Sequence, residues 1–172
     1  MMKLILLGGN NVHNREWIES VRNKFSDLFD ESVVLIYEHW KSEGKVLDRT
    51  KEIEKLSKIA GRETVIFAKS AVIGLTLQAI LEMKIKPKKC IFVGLPLNWE
   101  EVNRNELSPY FIDYKIPTLF IQAEKDPYAS FSDVKKFLDK NKVKNCELKE
   151  VAGEDHDYLD VDELKIIVKE FL

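Results

Sequence analysis

Three residues in this chain of 172 amino acids have the types and order of a nucleophilic relay: Ser70, then Asp126, then His156. Each follows a short apolar run that reads as a strand. A serine hydroxyl is a weak nucleophile at neutral pH and needs a base. The base, an imidazole, needs a carboxylate to hold its tautomer and orientation. The chemistry of such a trio is acyl transfer through a covalent intermediate. It requires three loops, far apart in sequence, to meet at one end of a sheet.

In the first segment, Ile66-Phe67-Ala68-Lys69-Ser70-Ala71-Val72-Ile73-Gly74, a strand runs into a helix without a spacer and Ser70 stands at the junction. Such a turn lifts the hydroxyl above the sheet and strains the residue that carries it. A serine N-cap on a buried helix is the alternative reading of these residues alone. The second segment, Pro117 to Pro127, is a buried strand ending in Ala123-Glu124-Lys125-Asp126. Asp-Pro is also an ordinary turn signal, and Glu124 is a competing carboxylate. The third, Val151-Ala152-Gly153-Glu154-Asp155-His156-Asp157-Tyr158, places a histidine between the last strand and the last helix, where it is a candidate general base.

The elements that must position these loops alternate regularly. Strands are expected at Lys3-Leu7, Ser32-Glu38, Thr64-Ala68, Lys89-Gly94, Thr118-Gln122 and Cys146-Val151. Helices are expected near Arg15-Phe29, Arg49-Ala60, Ala71-Met83, Trp99-Leu107, Phe131-Asn141 and Asp160-Leu172. Most of the strands are continuously apolar, as in a parallel sheet covered on both faces. The expected class is α/β: a doubly wound, three-layer α/β/α sandwich with a six-stranded, mostly parallel sheet, forming one domain over residues 1–172.

On four motifs the whole chain resembles a compact, lidless α/β-hydrolase, similar to the retinoblastoma-binding-protein-9-like and dienelactone-hydrolase-like branches. The motifs are Leu7-Gly8-Gly9-Asn10, Ala68-Lys69-Ser70-Ala71, Glu124-Lys125-Asp126-Pro127 and Gly153-Glu154-Asp155-His156. The resemblance implies strand order 2-1-3-4-5-6, Ser70 as nucleophile, His156 as base and Asp126, in preference to Glu124, as its carboxylate. It implies an oxyanion hole from the backbone N–H of Ala71 and of Asn10 or Asn11, and no cofactor. Ala68 and Val72 stand where the family's elbow usually has glycine. Val72 is expected to crowd the turn, so that Val72→Gly leaves activity unchanged or raises it. Val72 also favours the alternative of a binding or scaffold protein that kept the fold and lost turnover. A flavodoxin-like binder would share the alternation but leaves Asp126 and His156 without a reason.

Composition bounds the partners. A net charge of −2, with 45% hydrophobic and 33% charged residues, favours neither nucleic acid nor an anionic membrane. No transmembrane run or signal peptide is evident, and Cys90 and Cys146 fall on strands expected about 9–10 Å apart, too far for a disulfide. A cytoplasmic, reduced protein, monomeric or weakly dimeric, acting on a small ester-like molecule is the expectation. His13 and His39 fall on the site side without metal-ligand spacing. The lysine runs 84–89 and 140–144 are expected at helix ends on the opposite face. Asn11, Leu97, Trp99 and Tyr128 are expected to line a shallow substrate pocket, with Tyr110, Phe111 and Tyr158 near it. Lys69 is expected to pack its stem and reach solvent with its head, the alternative being that it meets an anionic group. Glu124, Asp133, Glu154, Asp155, Asp157 and Asp160, against Lys125, are expected to disfavour anionic substrates and leave short neutral acyl esters.

Overall fold

The computed structural model describes residues 2–41, 47–98 and 106–172. Its elements in chain order are β1 (Lys3–Leu7), α1 (Asn14–Lys24), β2 (Glu31–Val34), α2 (Glu38–Lys41), α3 (Arg49–Ile59), β3 (Thr64–Lys69) and α4 (Val72–Leu81). They continue with β4 (Lys89–Val93), a 3-10 turn (Ser108–Phe111), β5 (Thr118–Ala123), α5 (Phe131–Lys140), β6 (Cys146–Val151) and α6 (Val161–Phe171). The helix expected over Trp99-Leu107 falls mostly outside the described residues.

The six strands form one sheet in the order β2-β1-β3-β4-β5-β6, as expected, and every pairing is parallel. The inner strands β3 and β5 are buried along their whole length because helices cover both faces. Side-chain alternation assigns the layers. Phe67 of β3 meets Trp17 and Phe25 of the α1 segment, with ring centroids 6.1 and 5.8 Å away. Phe92 and Phe120, on β4 and β5, point to the opposite face, where Phe111 packs between Phe120 and Phe137. Each fully buried ring of this kind contributes about 1.5–3 kcal/mol relative to exposure.

Two boundaries differ from the sequence reading. The expected second strand, Ser32-Glu38, ends at Val34: Leu35 N–H still bonds to Leu6 O at 2.9 Å, but the chain then bends into α2. The first helix stops at Lys24, not Phe29, because Phe25 turns in to fill the core and a Phe25–Leu28 turn redirects the chain to β2. The cysteines behave as expected. Cys90 and Cys146 flank Thr118 in register across three strands, and both are free.

The order places a topological switch between β1 and β3, where successive crossovers leave in opposite directions. Loops at the carboxyl ends of these two strands border the crevice that such a switch point opens. Gly8-Asn11 and Ser70 are those loops. At the other end of the sheet Lys89 Nζ donates to the main-chain oxygens of Phe171 and Leu172, at 2.7 and 2.9 Å. Lys88 pairs with Glu63 at 2.6 Å. These lysines therefore complement a helix C-terminus and a neighbouring acid, on the face opposite the crevice. Among the described residues no helix is long and apolar enough to cross a membrane.

Candidate active site

Ser70 follows β3 directly and, with Ala71, makes the turn into α4. Its N–H donates to Val93 O at 2.9 Å, continuing the ladder to β4, and its own carbonyl accepts Ile73 N–H at 2.9 Å, opening the helix. To do both, Ser70 takes φ +61°, a left-handed conformation that costs a non-glycine residue about 1–2 kcal/mol. These two hydrogen bonds, one to β4 and one into the helix, hold it there. The strain expected at the elbow is present.

Ala68 and Val72 are both fully buried beneath this turn. Val72 is the first residue of α4 and part of the core, so the crowding expected of it is corrected: the side chain fills space that glycine would leave empty. Val72→Gly is now expected to destabilise the fold by about 2.5–4 kcal/mol, the sum of lost burial and the helix penalty of glycine. Thermal unfolding should show a midpoint about 5–15 °C lower. An unchanged or higher midpoint would restore the crowding argument.

Asp126 lies in the turn after β5. Glu124 N–H and Lys125 N–H extend the β5–β6 ladder to Val151 O and Gly153 O, at 2.9 and 3.0 Å, and Asp126 follows as the chain turns inward. Its carboxylate is buried, at 4% exposure for the residue, whereas Glu124 is exposed. Oδ1 accepts Tyr128 N–H at 2.9 Å. Oδ2 is 2.6 Å from His156 Nδ1 and accepts the Tyr158 hydroxyl at 2.7 Å. With Asp126 ionised, His156 Nδ1 carries the proton and donates it, which leaves Nε2 as acceptor. Nε2 is 2.8 Å from Ser70 Oγ. Three residues separated by 86 and 30 positions along the chain thus share one continuous line of hydrogen bonds.

The His156 ring is packed on several sides. Tyr128 meets it edge-on with centroids 4.7 Å apart, and Tyr158 at 5.8 Å. Gly94, at φ +67°, passes so close that a Cβ there would lie 2.7 Å from His156 Cε1. Tyr158 is itself anchored. Ala123 N–H donates to its hydroxyl at 3.0 Å and its carbonyl accepts Trp17 Nε1–H at 2.9 Å. Burial and the Asp126 carboxylate push its phenol well above the usual range, so it stays a donor. Sequence reasoning placed Tyr158 near a pocket and missed this bond; its position two residues past the histidine was the signal.

The loop after β1 is held from below. Tyr37 OH donates to Gly8 O at 2.7 Å, and Asn10 O accepts from Trp40 Nε1 at 2.9 Å and faces His39 Nε2 at 2.7 Å. His39 stacks on Tyr37 with rings 6° from parallel. The aromatic cluster over 37–40 therefore fixes the Gly8-Asn10 main chain, a role the sequence did not signal. Among the described residues the N–H groups of Asn10 and Ala71 make no hydrogen bond, and both residues line the same cavity as Ser70.

That cavity has a volume of about 440 Å³. Of the residues expected to line it, Asn11 and Tyr128 do. Leu97 instead packs against the core, and Trp99 lies outside the described residues. Trp17, Pro96 and Leu159 supply the apolar wall, and His13 reaches the rim. Tyr110 and Phe111 pack with the core and do not line it. Lys69 departs furthest from expectation. Its head does not reach solvent: the residue is 5% exposed and its ammonium sits 4.4 Å from the Trp17 ring centroid. Among the described residues no group of three or more His, Cys, Asp or Glu is placed to hold a metal ion.

No family model and no curated protein matches the sequence. Solved structures do. The mouse α/β hydrolase domain-containing protein 10 superposes with a TM-score of 0.77 over 98% of this chain and 88% of its own, at 13% identity. An α-β serine hydrolase homologue from Coxiella burnetii gives 0.76 over 99% and 85%, at 17% identity.

The chain has the α/β-hydrolase fold.

Est1E from Butyrivibrio proteoclasticus, solved with ferulic acid bound, shares this α/β-hydrolase fold at a TM-score of 0.72 and 17% identity, over 99% of this chain and 88% of its own. Within it, Ser70 stands at the strand-to-helix elbow after β3, and Asp126 and His156 stand in the loops after β5 and β6.

Proposed function

We propose that this protein is a serine hydrolase that cleaves small ester-like substrates through an acyl-enzyme, with Ser70, His156 and Asp126 as its triad and no cofactor. The observation that carries this reading is the unbroken hydrogen-bond line from Ser70 Oγ through both nitrogens of His156 to buried Asp126. Ser70 Oγ attacks the carbonyl carbon while its proton passes to His156 Nε2. Asp126 holds the imidazolium that forms. The carbonyl oxygen becomes an oxyanion and is met by the free N–H groups of Ala71 and Asn10, a contribution of several kcal/mol for such donors. Collapse expels the leaving group, which takes the proton from Nε2. Water then repeats the sequence, giving its proton to His156 and releasing the acid.

Two further observations support the assignment. Glu124 is exposed and has no bond to the imidazole, so the carboxylate role falls to Asp126. Val72, which favoured a scaffold that had lost turnover, packs under the elbow and away from the cavity. Partners in this reading are small molecules, with neither nucleic acid nor membrane required.

The decisive experiment is labelling with a fluorophosphonate probe followed by mapping of the modified residue. The label is expected on Ser70 and absent from a folded Ser70→Ala variant. A label that persists in that variant, or maps to Ser130 or Ser132, overturns the assignment.

A further inference from the structure

Lys69 precedes the nucleophile, is buried, and lines the same cavity as Ser70. Its Nζ donates to Asn14 Oδ1 at 3.2 Å and to the main-chain oxygen of Asp157 at 3.0 Å, and it rests over the Trp17 ring. An ammonium has three N–H donors, so one is unassigned among the described residues. Every one of these partners is neutral. No carboxylate of the described residues forms an ion pair with Lys69, although buried charges are ordinarily paired. The Lys69 ammonium thus has no ion-pair partner among the described residues, and the residue borders the cavity that holds Ser70.

The acids of the neighbouring loops act on the Lys69 ammonium without forming an ion pair, and most of them are engaged elsewhere. Glu154 is held by Lys125 at 2.6 Å, Asp133 closes the capping box of α5 with Ser130, and the Asp160 side chain caps α6. Of the six acids expected to repel anions, Asp157 alone lines the cavity, and its side chain is exposed. The expectation that this face disfavours anionic substrates thus meets a cavity bordered by Lys69 as well as by Asp157.

We propose that Lys69 is the anion-recognition residue of this site and that the preferred substrate is an ester bearing a carboxylate, which enters the cavity and supplies the direct ion-pair partner that Lys69 lacks among the described residues. The proposal rests on the serine-hydrolase reading for the reaction, and on the cavity alone for the binding. Burial draws the Lys69 ammonium down to about 8, while Asp157, Asp126 and Asp155 oppose that shift from farther away, so the charge is present at neutral pH and a bound carboxylate would hold it there. The competing role is a strut joining α1 to the His156 loop through Asn14 and Asp157.

The test compares monoethyl glutarate with the ethyl ester of glutaric acid monoamide, which has nearly the same shape and no charge. Acid release is followed near neutral pH at low ionic strength. The native protein is expected to favour the carboxylate ester in kcat/KM by about tenfold or more, as a charge-assisted contact of this kind allows. Lys69→Met should bring the ratio close to unity, chiefly through KM, and Lys69→Arg should keep it above unity. Lys69→Gln retains donors for Asn14 and Asp157 but no charge. It should lose the preference as well, which a strut would not, and it carries the test if the methionine variant fails to fold. Lys125→Met, outside the cavity, should leave the ratio as in the native protein. A native ratio at or below unity, or one that Lys69→Gln leaves intact, overturns the proposal while turnover of the neutral ester and labelling of Ser70 still stand. If neither ester is cleaved, calorimetric titration of monoethyl glutarate into Ser70→Ala protein decides the binding claim. Heat that disappears when Lys69→Gln is added supports the anion site, and no heat overturns it.

Discussion

His156→Ala is expected to lower turnover of an activated ester by about 10³–10⁶-fold, close to the loss in Ser70→Ala, because members of a relay act as a unit. The reason lies in the geometry at both ring nitrogens. Nε2 is 2.8 Å from the Ser70 hydroxyl, and removing the imidazole removes that acceptor. Combining the two substitutions should cost little more than either one. Asp126→Asn tests the other end of the line. The amide cannot hold the Nδ1–H tautomer, so the loss should approach about 10⁴-fold with the fold retained. Glu124→Gln, exposed and bonded to neither nitrogen, should stay within about twofold, the range of a surface change. Steady-state kinetics on the four single variants and the double variant, with circular dichroism to confirm folding, is the measurement. A severe Glu124→Gln beside a mild Asp126→Asn would transfer the carboxylate role and break the reading of the β5 turn.

What could be read in the sequence divides along a physical line. Strand identity was legible because a parallel sheet buried on both faces demands continuous apolar runs, and Val65 to Ala68, Ile91 to Val93 and Leu119 to Ile121 are such runs, whereas the strand order came from the family resemblance alone. The spacing of Ser70, Asp126 and His156 was legible for the same reason, since each sits one or a few residues past such a run. Charge in the site was not legible. Lys69 looked like a residue that would snorkel, because sequence carries no information on whether Trp17, 52 positions earlier, closes over its head. Counting acids in the loops failed likewise: Asp133, Glu154 and Asp160 are spent on a capping box, an ion pair and a helix cap, and only coordinates reveal those uses. Val72 was misread because the family's glycine describes a close approach that this chain meets by packing a valine into the core.

Gly94 belongs to the same class of hidden constraint and carries the second large expected effect. It ends β4 beside the elbow, its N–H donates to Ile121 O at 3.0 Å, and its φ is +67°. A Cβ there would stand 2.7 Å from His156 Cε1 and 2.8 Å from Tyr158 Cε2, both closer than side chains tolerate. Alanine must therefore shift two rings that are fixed to the same Asp126 oxygen, through bonds of 2.6 and 2.7 Å. The left-handed backbone adds about 1–2 kcal/mol of strain for alanine, which lowers stability modestly and leaves the sheet intact. The imidazole, displaced by several tenths of an ångström, loses its alignment with Ser70. Misplacement on this scale is expected to cost Gly94→Ala about 10²-fold in kcat, and to slow labelling of Ser70 by a fluorophosphonate to a similar degree. A double-mutant cycle separates this route from general damage. If the methyl group acts through His156, adding Gly94→Ala to His156→Ala should remove no further activity, because the ring it would push is absent. A second full loss in that background would place the effect in the backbone of the elbow, and turnover within about threefold of the native protein in Gly94→Ala alone would mean that the rings yield without losing the line of hydrogen bonds.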